Sequence, residues 1–398
     1  MSERIGNPRQ PMPVLLESAA EQGIHQVLNC KGLPNGDLPE PDLSPEEARM
    51  FYQTMVLLRA IDERGWKLQR SGRIAFWIPM RGQEALQVGA THAMDPADWI
   101  FRAHREMAPW LMRGGSLELL FAQFFGAATE PQKGRRLPCL IGNRALNVIQ
   151  GPTQVGSFIP HACGVAWAAK LKGSDVKVLG LFGDGASSRS EFHSAMNFAG
   201  IHQPPVVFMC VNNSWAVSTP LDRQTAQANF AAKGEAYGVR NLRVDGNDPL
   251  AVYAVTKSAR ESLDAQGPIL IEAVTYRLGY HTSSDNPDLY RQDAEAALWA
   301  EWDPLHRMRG YLEHKGWWDE ADETALHRQC DEDIQAAVNA AAAMELPGPE
   351  SQFEDVFEQS NWMLDEQARR VISEQLVSEQ LVSEQMGSEN ADSSEGAT

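Results

Sequence analysis

Two apolar runs separated by an amphipathic segment constrain the fold of this chain more than any other feature. The first run, 176–182, ends at a Gly-Asp-Gly turn at 183–185, and the second, 206–211, ends at an Asn-Asn pair at 212–213. Such runs predict buried parallel strands, and the segment between them has apolar residues at helical spacing. A strand, a helix and a second parallel strand form a right-handed crossover unit, in which the carboxyl ends of the two strands lie side by side. Because open α/β sheets bind ligands at such ends, we expect an α/β fold, a parallel sheet flanked by helices, with its site here.

The side chains at these two strand ends suit a magnesium ion that carries a diphosphate. Asp184 offers an anionic oxygen, Asn213 a neutral amide oxygen, and the loop after Asn213 a backbone carbonyl. Mg²⁺ prefers octahedral oxygen coordination, with a few protein ligands and the rest from water or phosphates. Gly183 and Gly185 allow backbone N–H groups to approach a diphosphate closely. A Gly-Asp-Gly turn alone is also common in purely structural units, but the two motifs at this spacing favour the magnesium-diphosphate site.

With these motifs the chain resembles a known family. A Gly-Asp-Gly turn followed at this distance by Asn-Asn is the thiamine-diphosphate motif, and its flanks resemble the alpha subunits of heterotetrameric 2-oxo acid dehydrogenases. Within that group the chain is most similar to the branched-chain (2-oxoisovalerate) type. The resemblance covers about 13–362, and the segments that carry it besides the two motifs are 70–90, 101–114, 158–173, 276–291 and 311–320.

The resemblance implies thiamine diphosphate and Mg²⁺ as cofactors, bound in a thiamine-diphosphate-binding fold. His281 is expected to face the diphosphate and the reacting groups as a catalytic residue, although a lone histidine in a loop is usually only a surface residue. The expected metal ligands are Asp184, Asn213 and Trp215. The residues expected to bind the cofactor are His104, Arg105, Val155, Gly183, Asp184, Gly185, Ala186 and His281.

Arg105 has support from the residues themselves. It lies in a cluster of cations after the short strand predicted at 99–101, and a guanidinium group binds phosphate with two parallel hydrogen bonds. The alternative is a surface ion pair with Glu106. Val155 falls where the family lines its substrate pocket with an aliphatic residue.

The chain departs from the family pattern at three positions. Relatives often have Arg before the Asn-Asn pair, where this chain has Val211, so its affinity for diphosphate is lower unless another cation compensates. Relatives have Gln in a potassium site where this chain has Phe158, which offers no side-chain oxygen and leaves this ion in doubt. Mitochondrial members are phosphorylated at a Ser where this chain has Thr282, so control by such a kinase is not expected.

The resemblance also implies an activity and partners. The activity is oxidative decarboxylation of branched-chain 2-oxo acids with acyl transfer to a lipoyl protein, and the partners are a beta subunit in an α₂β₂ heterotetramer and a lipoyl-bearing acyltransferase core. The beta subunit supplies the glutamate that activates the cofactor. Alternatives are a pyruvate or acetoin dehydrogenase alpha subunit and, from another class, a non-catalytic assembly subunit of the same fold. A nucleotide-binding Rossmann module is excluded because no GxGxxG follows a first strand.

Composition limits the classes of partner and the cellular location that can be expected for the chain. The chain has 35 basic and 53 acidic residues, for a formal net charge of −18, which argues against nucleic acid or an anionic membrane as a partner. It has no apolar run of 18 residues that could span a membrane. The residues 1–15 lack the pattern of a signal or transit peptide, so a cytoplasmic location is expected. The five cysteines are scattered and predict neither disulfides nor zinc.

Three regions are expected along the chain. Residues 1–44 are rich in Pro and Gly and predict an arm lying over a surface. The α/β domain, 45–365, begins with a helix that Ser44 caps and that runs to about Ser71. Residues 366–398 contain a five-residue repeat and an acidic end, which predict a tail that is disordered or only partly helical.

Overall fold

The computed structural model describes residues 16–17, 19–34, 38–375 and 377, and a parallel sheet lies at their centre. The strands of the sheet are β1 (Ile24–His25), β2 (Trp99–Phe101), β3 (Val148–Ile149), β4 (Val178–Gly183), β5 (Val206–Asn212), β8 (Arg240–Asp245) and β9 (Ile269–Val274), and β6 (Trp215–Ala216) and β7 (Thr219–Pro220) form a separate hairpin. In the described residues these seven strands pair in the order β1-β8-β9-β5-β4-β2-β3, and every neighbouring pair is parallel. The predicted α/β class with a parallel sheet is therefore confirmed.

Helices cover both faces of this sheet. Their bounds are α1 (Pro45–Arg70), α2 (Glu84–His92), α3 (Ala108–Met112), α4 (Leu117–Phe125), α5 (Ile159–Leu171), α6 (Ser190–His202), α7 (Pro249–Gln266), α8 (Asp293–Ala300), α9 (Pro304–His314) and α10 (Glu320–Ala342). The start of α1 is as expected: the Ser44 hydroxyl accepts from the Glu47 N–H at 3.2 Å, and the Glu47 carboxylate accepts from the Ser44 N–H at 2.8 Å. This capping box satisfies two donors that a helix start otherwise leaves unpaired.

Alternation along the strands explains why the sheet has two cores. Successive residues of a strand point to opposite faces, so Leu179 and Leu181 of β4 pack in the core that contains residues of α1, α2 and α7. Val178 and Phe182 of the same strand pack in a second core with residues of α5 and α6. A strand buried on both faces must be apolar throughout, which is why β4 and β5 read as continuous apolar runs.

The strand–helix–strand unit predicted from the two runs is present. β4 and β5 are neighbours joined through α6, with Gly183 paired with Val211 in the register. The residues that follow each strand, Asp184 and Asn213, therefore emerge side by side at the carboxyl end of the sheet. This placement builds the candidate site.

The two shortest strands of the sheet, β1 and β3, were not predicted from the sequence. The expected arm, 1–44, is described only in part, and β1 within it pairs with β8, so this part belongs to the sheet edge. The stretch 131–151 contains β3, which pairs with β2. Two-residue strands are too short to produce a periodic signal.

The expected tail, 366–398, falls largely outside the described residues; of its described part, 366–375 is helical. None of the helices in the described part of the chain combines the length and hydrophobicity needed to cross a membrane.

Candidate active site

A cavity of about 380 Å³ lies at the carboxyl ends of β4 and β5, and every site residue predicted from the sequence lines it. Five separate stretches of the chain supply these residues, and the fold brings them together. They are His104, Arg105, Val155, Gly183, Asp184, Gly185, Ala186, Asn213, Trp215 and His281.

One side of the cavity, which we call the strand-end wall, consists of 183–186 at the end of β4 and 213–215 after β5. Asp184 is buried, and its Oδ2 accepts a hydrogen bond from Gln224 Nε2 at 2.7 Å. Burial raises the pKa of Asp184 to about 6, because a charge without compensation is disfavoured away from water. A bound cation would supply that compensation.

Asn213, on the same wall, is held by two neighbours. Its Nδ2 donates to Gln83 Oε1 at 3.3 Å, and its Oδ1 accepts from the Trp215 N–H at 3.3 Å. An amide oxygen has two lone pairs, so Oδ1 keeps one for another ligand. Asn213 therefore presents an acceptor beside the Asp184 carboxylate.

Close backbone packing explains one of the two glycines in this wall. A Cβ built on Gly185 would come within 2.8 Å of the Ala216 Cβ, so a larger residue there would force the two strand ends apart. A Cβ on Gly183 would meet nothing within 4 Å, so the space beside that backbone is open.

The opposite side, which we call the loop wall, consists of Arg105 and the loop 276–291. Arg105 is buried and donates to the Pro79 carbonyl, to the His281 carbonyl at 2.9 Å and to His281 Nδ1 at 3.0 Å. Because a guanidinium group can only donate, Nδ1 is the acceptor and the ring proton is on Nε2. Burial, with the nearby Arg105 charge adding to it, lowers the pKa of His281 to about 3, so the ring is neutral.

A second arginine secures the loop wall. Arg277 donates to the Trp215 carbonyl at 3.1 Å, to the Val217 carbonyl at 2.8 Å and to the Tyr290 hydroxyl at 2.7 Å. The φ angle of Val217 is 55°, which is rare for a β-branched residue. The bonds from Arg277 hold this strained backbone in place at the edge of the cavity.

The loop itself is tied by one carboxylate. Asp285 Oδ2 accepts from the His281 N–H at 2.7 Å and from the Tyr290 hydroxyl at 2.6 Å. Arg277, Tyr290 and Asp285 thus form a chain of hydrogen bonds that fixes the backbone on which His281 sits. This set of hydrogen bonds was not predictable from the sequence, because side chains that bond to one another in a loop follow no periodic pattern.

Two further positions discussed from the sequence, His104 and Phe158, also line the cavity. His104 Nε2 donates to the Pro152 carbonyl at 2.8 Å, and burial lowers its pKa, so it is neutral with Nδ1 as an acceptor. Phe158 is buried and stacks on Phe101 with ring centroids 6.5 Å apart. The position for which the resemblance implies a potassium site is therefore part of an apolar contact.

Most of the remaining lining of the cavity is apolar. Val155 and Val217 are partly exposed at 45% and 50% of their surface. The other apolar side chains that line it include Phe76, Ile78, Leu137 and Leu140.

Three polar residues at the site were missed in the sequence: Gln83, Glu106 and Gln224. Gln83 and Glu106 line the cavity, and each has one buried polar atom, Nε2 and Oε2 respectively, without a hydrogen-bond partner in the described residues. Gln224 contacts Asp184 across 40 positions and Gln83 contacts Asn213 across 130. Spacing along the chain could not have found such contacts.

The residues present fit a magnesium diphosphate group. Carboxylate, carboxamide and carbonyl oxygens from Asp184, Asn213 and Trp215 are the hard donors that Mg²⁺ prefers. The described residues contain no group of three or more His, Cys, Asp or Glu side chains that could hold a metal, so phosphate and water oxygens would have to complete the shell. The buried Nε2 of Gln83 is a donor without an acceptor in the described residues, and an oxygen of a diphosphate would provide that acceptor.

Comparison with known proteins gives one consistent result. The profile of the family described as dehydrogenase E1 component matches residues 52–350, more than half of the chain. Among curated proteins, the mitochondrial 2-oxoisovalerate dehydrogenase subunit alpha of Mus musculus is 37% identical over 338 residues, which cover 84% of this chain and 76% of that protein. The Homo sapiens protein of the same name is 36% identical over the same shares. The mitochondrial subunit alpha 2 of Arabidopsis thaliana is 37% identical over 79% of this chain and 67% of its own length.

Proposed function

The chain belongs to the dehydrogenase E1 component family, and we propose that it is the alpha subunit of the enzyme that oxidatively decarboxylates branched-chain 2-oxo acids such as 2-oxoisovalerate. The observation that carries the proposal is the placement of Asp184 and Asn213 at adjacent strand ends, in one cavity with Arg105 and His281. The names of the similar curated proteins support the choice of substrate class.

The proposed cofactors are thiamine diphosphate and Mg²⁺. When bound, thiamine diphosphate supplies the nucleophilic carbon and the electron sink that decarboxylation of a 2-oxo acid requires. Asp184, Asn213 and the Trp215 carbonyl hold the metal, and backbone N–H groups of 183–186 face the diphosphate. A metal beside Asp184 offsets the cost of burying its carboxylate.

Arg105 and His281 act on the anionic side of the same group. Arg105 remains a cation even though burial lowers its pKa to about 10, so it neutralises phosphate charge. His281 is neutral with its proton on Nε2 and can donate it in a hydrogen bond to an anionic oxygen of the cofactor or substrate. Val211 offers no cation at its strand end, and Arg189, exposed on the rim of the cavity with its Nε 3.5 Å from the Glu191 carboxylate, is a cation that can compensate.

The apolar lining favours an aliphatic acyl group. Phe76, Ile78, Leu140 and Val155 provide a surface that a branched chain can bury. One methylene in such a pocket separates substrates by only about 1–3 kcal/mol, so straight-chain 2-oxo acids are expected as slower substrates.

We also propose a beta subunit in an α₂β₂ tetramer and a lipoyl-bearing acyltransferase core as partners. The carboxylates lining the cavity in the described residues are Asp184, assigned to the metal, and Glu106, which is buried and whose pKa burial raises. The resemblance assigns the glutamate that activates the cofactor to the beta subunit, which favours a site shared with that subunit.

Three further features of the sequence stay predictions. The buried contact of Phe158 with Phe101 gives no reason to propose a potassium ion. Thr282 gives none to propose control by phosphorylation at that position. The cytoplasmic location is a prediction, and the names of the similar proteins carry the word mitochondrial.

The test is turnover of 2-oxoisovalerate against pyruvate by the full chain co-expressed with its beta subunit, with thiamine diphosphate and Mg²⁺ present. We expect a clear preference for 2-oxoisovalerate that disappears in Asp184→Ala. A preference for pyruvate would keep the chemistry and change the substrate. A folded complex that decarboxylates no 2-oxo acid would leave the non-catalytic assembly subunit as the function.

A further inference from the structure

Gln83 is buried between the strand-end wall and the start of α2. It is 1% exposed, it directly precedes α2, and it lines the cavity. The peptide group that joins Gly82 to Gln83 is fixed at both of its polar atoms, because the Gln83 N–H donates to the Met80 carbonyl at 3.1 Å and Thr275 Oγ1 donates to the Gly82 carbonyl at 2.8 Å. The side chain therefore projects from a rigid point.

The contact between Gln83 and Asn213 has a direction. A carboxamide has an oxygen end that can bind a metal and an NH₂ end that cannot. Gln83 Oε1 accepts from Asn213 Nδ2 at 3.3 Å, which turns the oxygen end of Asn213 away from Gln83. The Trp215 N–H, which donates to Asn213 Oδ1 at 3.3 Å, sets this orientation of the Asn213 carboxamide, and Gln83 Oε1 supports it by accepting from the opposite end.

The other end of Gln83 is a donor without an acceptor. Nε2 is buried and has no hydrogen-bond partner in the described residues. Buried polar groups are nearly always paired, so an exception beside a cavity calls for an explanation. An anionic oxygen of a ligand bound against Asn213 would accept from this group.

We propose that Gln83 is a positioning residue for the metal and a hydrogen-bond donor to the anionic ligand that the metal carries. Its oxygen keeps the Asn213 carboxamide with Oδ1 available to the cation, and its nitrogen donates to an oxygen of the diphosphate. This inference rests on the proposed function, since it assigns Asn213 to a magnesium ion.

Gln87 provides a matched control one turn along α2. It is also buried, and its Nε2 is likewise unpaired within the described residues. Its Oε1, however, accepts from the Met107 N–H at 2.9 Å and the Ala108 N–H at 3.3 Å, and it does not line the cavity. The same substitution at Gln87 therefore removes a buried glutamine but leaves the contact with Asn213 intact.

The experiment measures binding by calorimetry on the full chain purified with its beta subunit. Mg²⁺ is titrated at saturating thiamine diphosphate, and thiamine diphosphate at saturating Mg²⁺, for the wild type, Gln83→Met, Gln83→Glu and Gln87→Met. Removing an outer partner of a metal ligand typically costs about 10–100-fold in metal affinity, and we expect that loss for Gln83→Met. Gln83→Glu keeps an acceptor for Asn213 Nδ2, so we expect it to retain Mg²⁺ affinity while binding the diphosphate more weakly.

The outcomes separate the inference from the proposed function. A wild type that binds neither ligand would overturn the proposed function itself. A wild type that binds both, with Gln83→Met binding Mg²⁺ equally well or Gln87→Met losing as much, would overturn the role of Gln83. If Gln83→Met does not fold, Gln83→Glu decides: weaker thiamine diphosphate binding at unchanged Mg²⁺ affinity supports the inference, and unchanged binding of both, or loss of Mg²⁺ affinity, contradicts it.

Discussion

The two walls of the cavity are built in different ways. The strand-end wall is held by the ladder of β4 and β5, whose paired register runs from Val178 with Val206 to Gly183 with Val211. The loop wall is held by side chains, chiefly Arg105 on His281 and Asp285 on the His281 N–H. Many backbone hydrogen bonds hold the strands of the first wall, and a core packs against them, whereas only a few side-chain hydrogen bonds hold the loop wall.

This difference has a consequence for mutations. Truncation of Asp184 or Asn213 on the strand-end wall removes a ligand and leaves the backbone in place, because neighbouring strands over-determine it. A substitution on the loop wall removes a contact and also releases the segment that carries the next one. Local opening should therefore be easier in 277–285 than in 206–213, as expected where few bonds hold a segment.

The largest effect is expected for Arg105→Met. This change removes a cation from the cavity and three hydrogen bonds, to the Pro79 carbonyl and to two atoms of His281. A hydrogen bond to a charged group is worth about 1.5–3 kcal/mol, so we expect thiamine diphosphate to bind about 10–100-fold more weakly in calorimetry. Hydrogen exchange should quicken in 277–285 while 206–213 keeps its protection.

Arg113→Met is the control for this change. Arg113 donates to backbone carbonyls, that of Leu146 at 3.0 Å among them, and does not line the cavity. It should lower the free energy of unfolding without changing cofactor affinity. Equal loss of protection at β5 and in the loop in Arg105→Met would show that the two walls are one cooperative unit.

A smaller effect is expected for Tyr290→Phe. The Tyr290 hydroxyl accepts from Arg277 at 2.7 Å and donates to Asp285 at 2.6 Å, so its loss breaks the chain of hydrogen bonds under His281. At about 1 kcal/mol for a typical bond, exchange in 277–285 should rise by roughly fivefold. Cofactor affinity should fall by less, since Arg105 still holds His281.

Tyr311→Phe tests whether loss of any buried hydroxyl has this effect. Tyr311 donates to Glu40 at 2.9 Å, and neither residue lines the cavity. Exchange in 277–285 should match the wild type. A loop that keeps its wild-type protection in Tyr290→Phe would mean that the loop wall is held by its backbone after all.

The same difference explains what could be predicted from the sequence. β4, β5 and their polar ends were predictable because buried strands produce apolar runs and the functional residues follow directly in the chain. His281 required the family resemblance, since it does not lie in a periodic segment, whereas the cluster of cations around Arg105 indicated a phosphate contact but left a surface ion pair with Glu106 as the alternative. Gln83 escaped both approaches, because its contact with Asn213 joins residues 130 positions apart and depends on the folded sheet.

The smallest effect is expected for Val155→Ala, on the apolar side of the cavity that belongs to neither wall. Val155 is 45% exposed, so truncation forfeits only part of the roughly 0.8 kcal/mol that each buried methylene contributes. We expect the ratio of kcat/KM for 2-oxoisovalerate over pyruvate to fall by about two- to fivefold. Cofactor affinity and exchange in 277–285 should be unchanged, as should all three readouts in Leu171→Ala, a truncation on α5 away from the cavity. Val155→Ala could instead weaken thiamine diphosphate binding as strongly as it changes the substrate ratio. That result would mean that the apolar lining contacts the cofactor rather than the acyl chain, and that substrate choice depends on the same residues as cofactor binding.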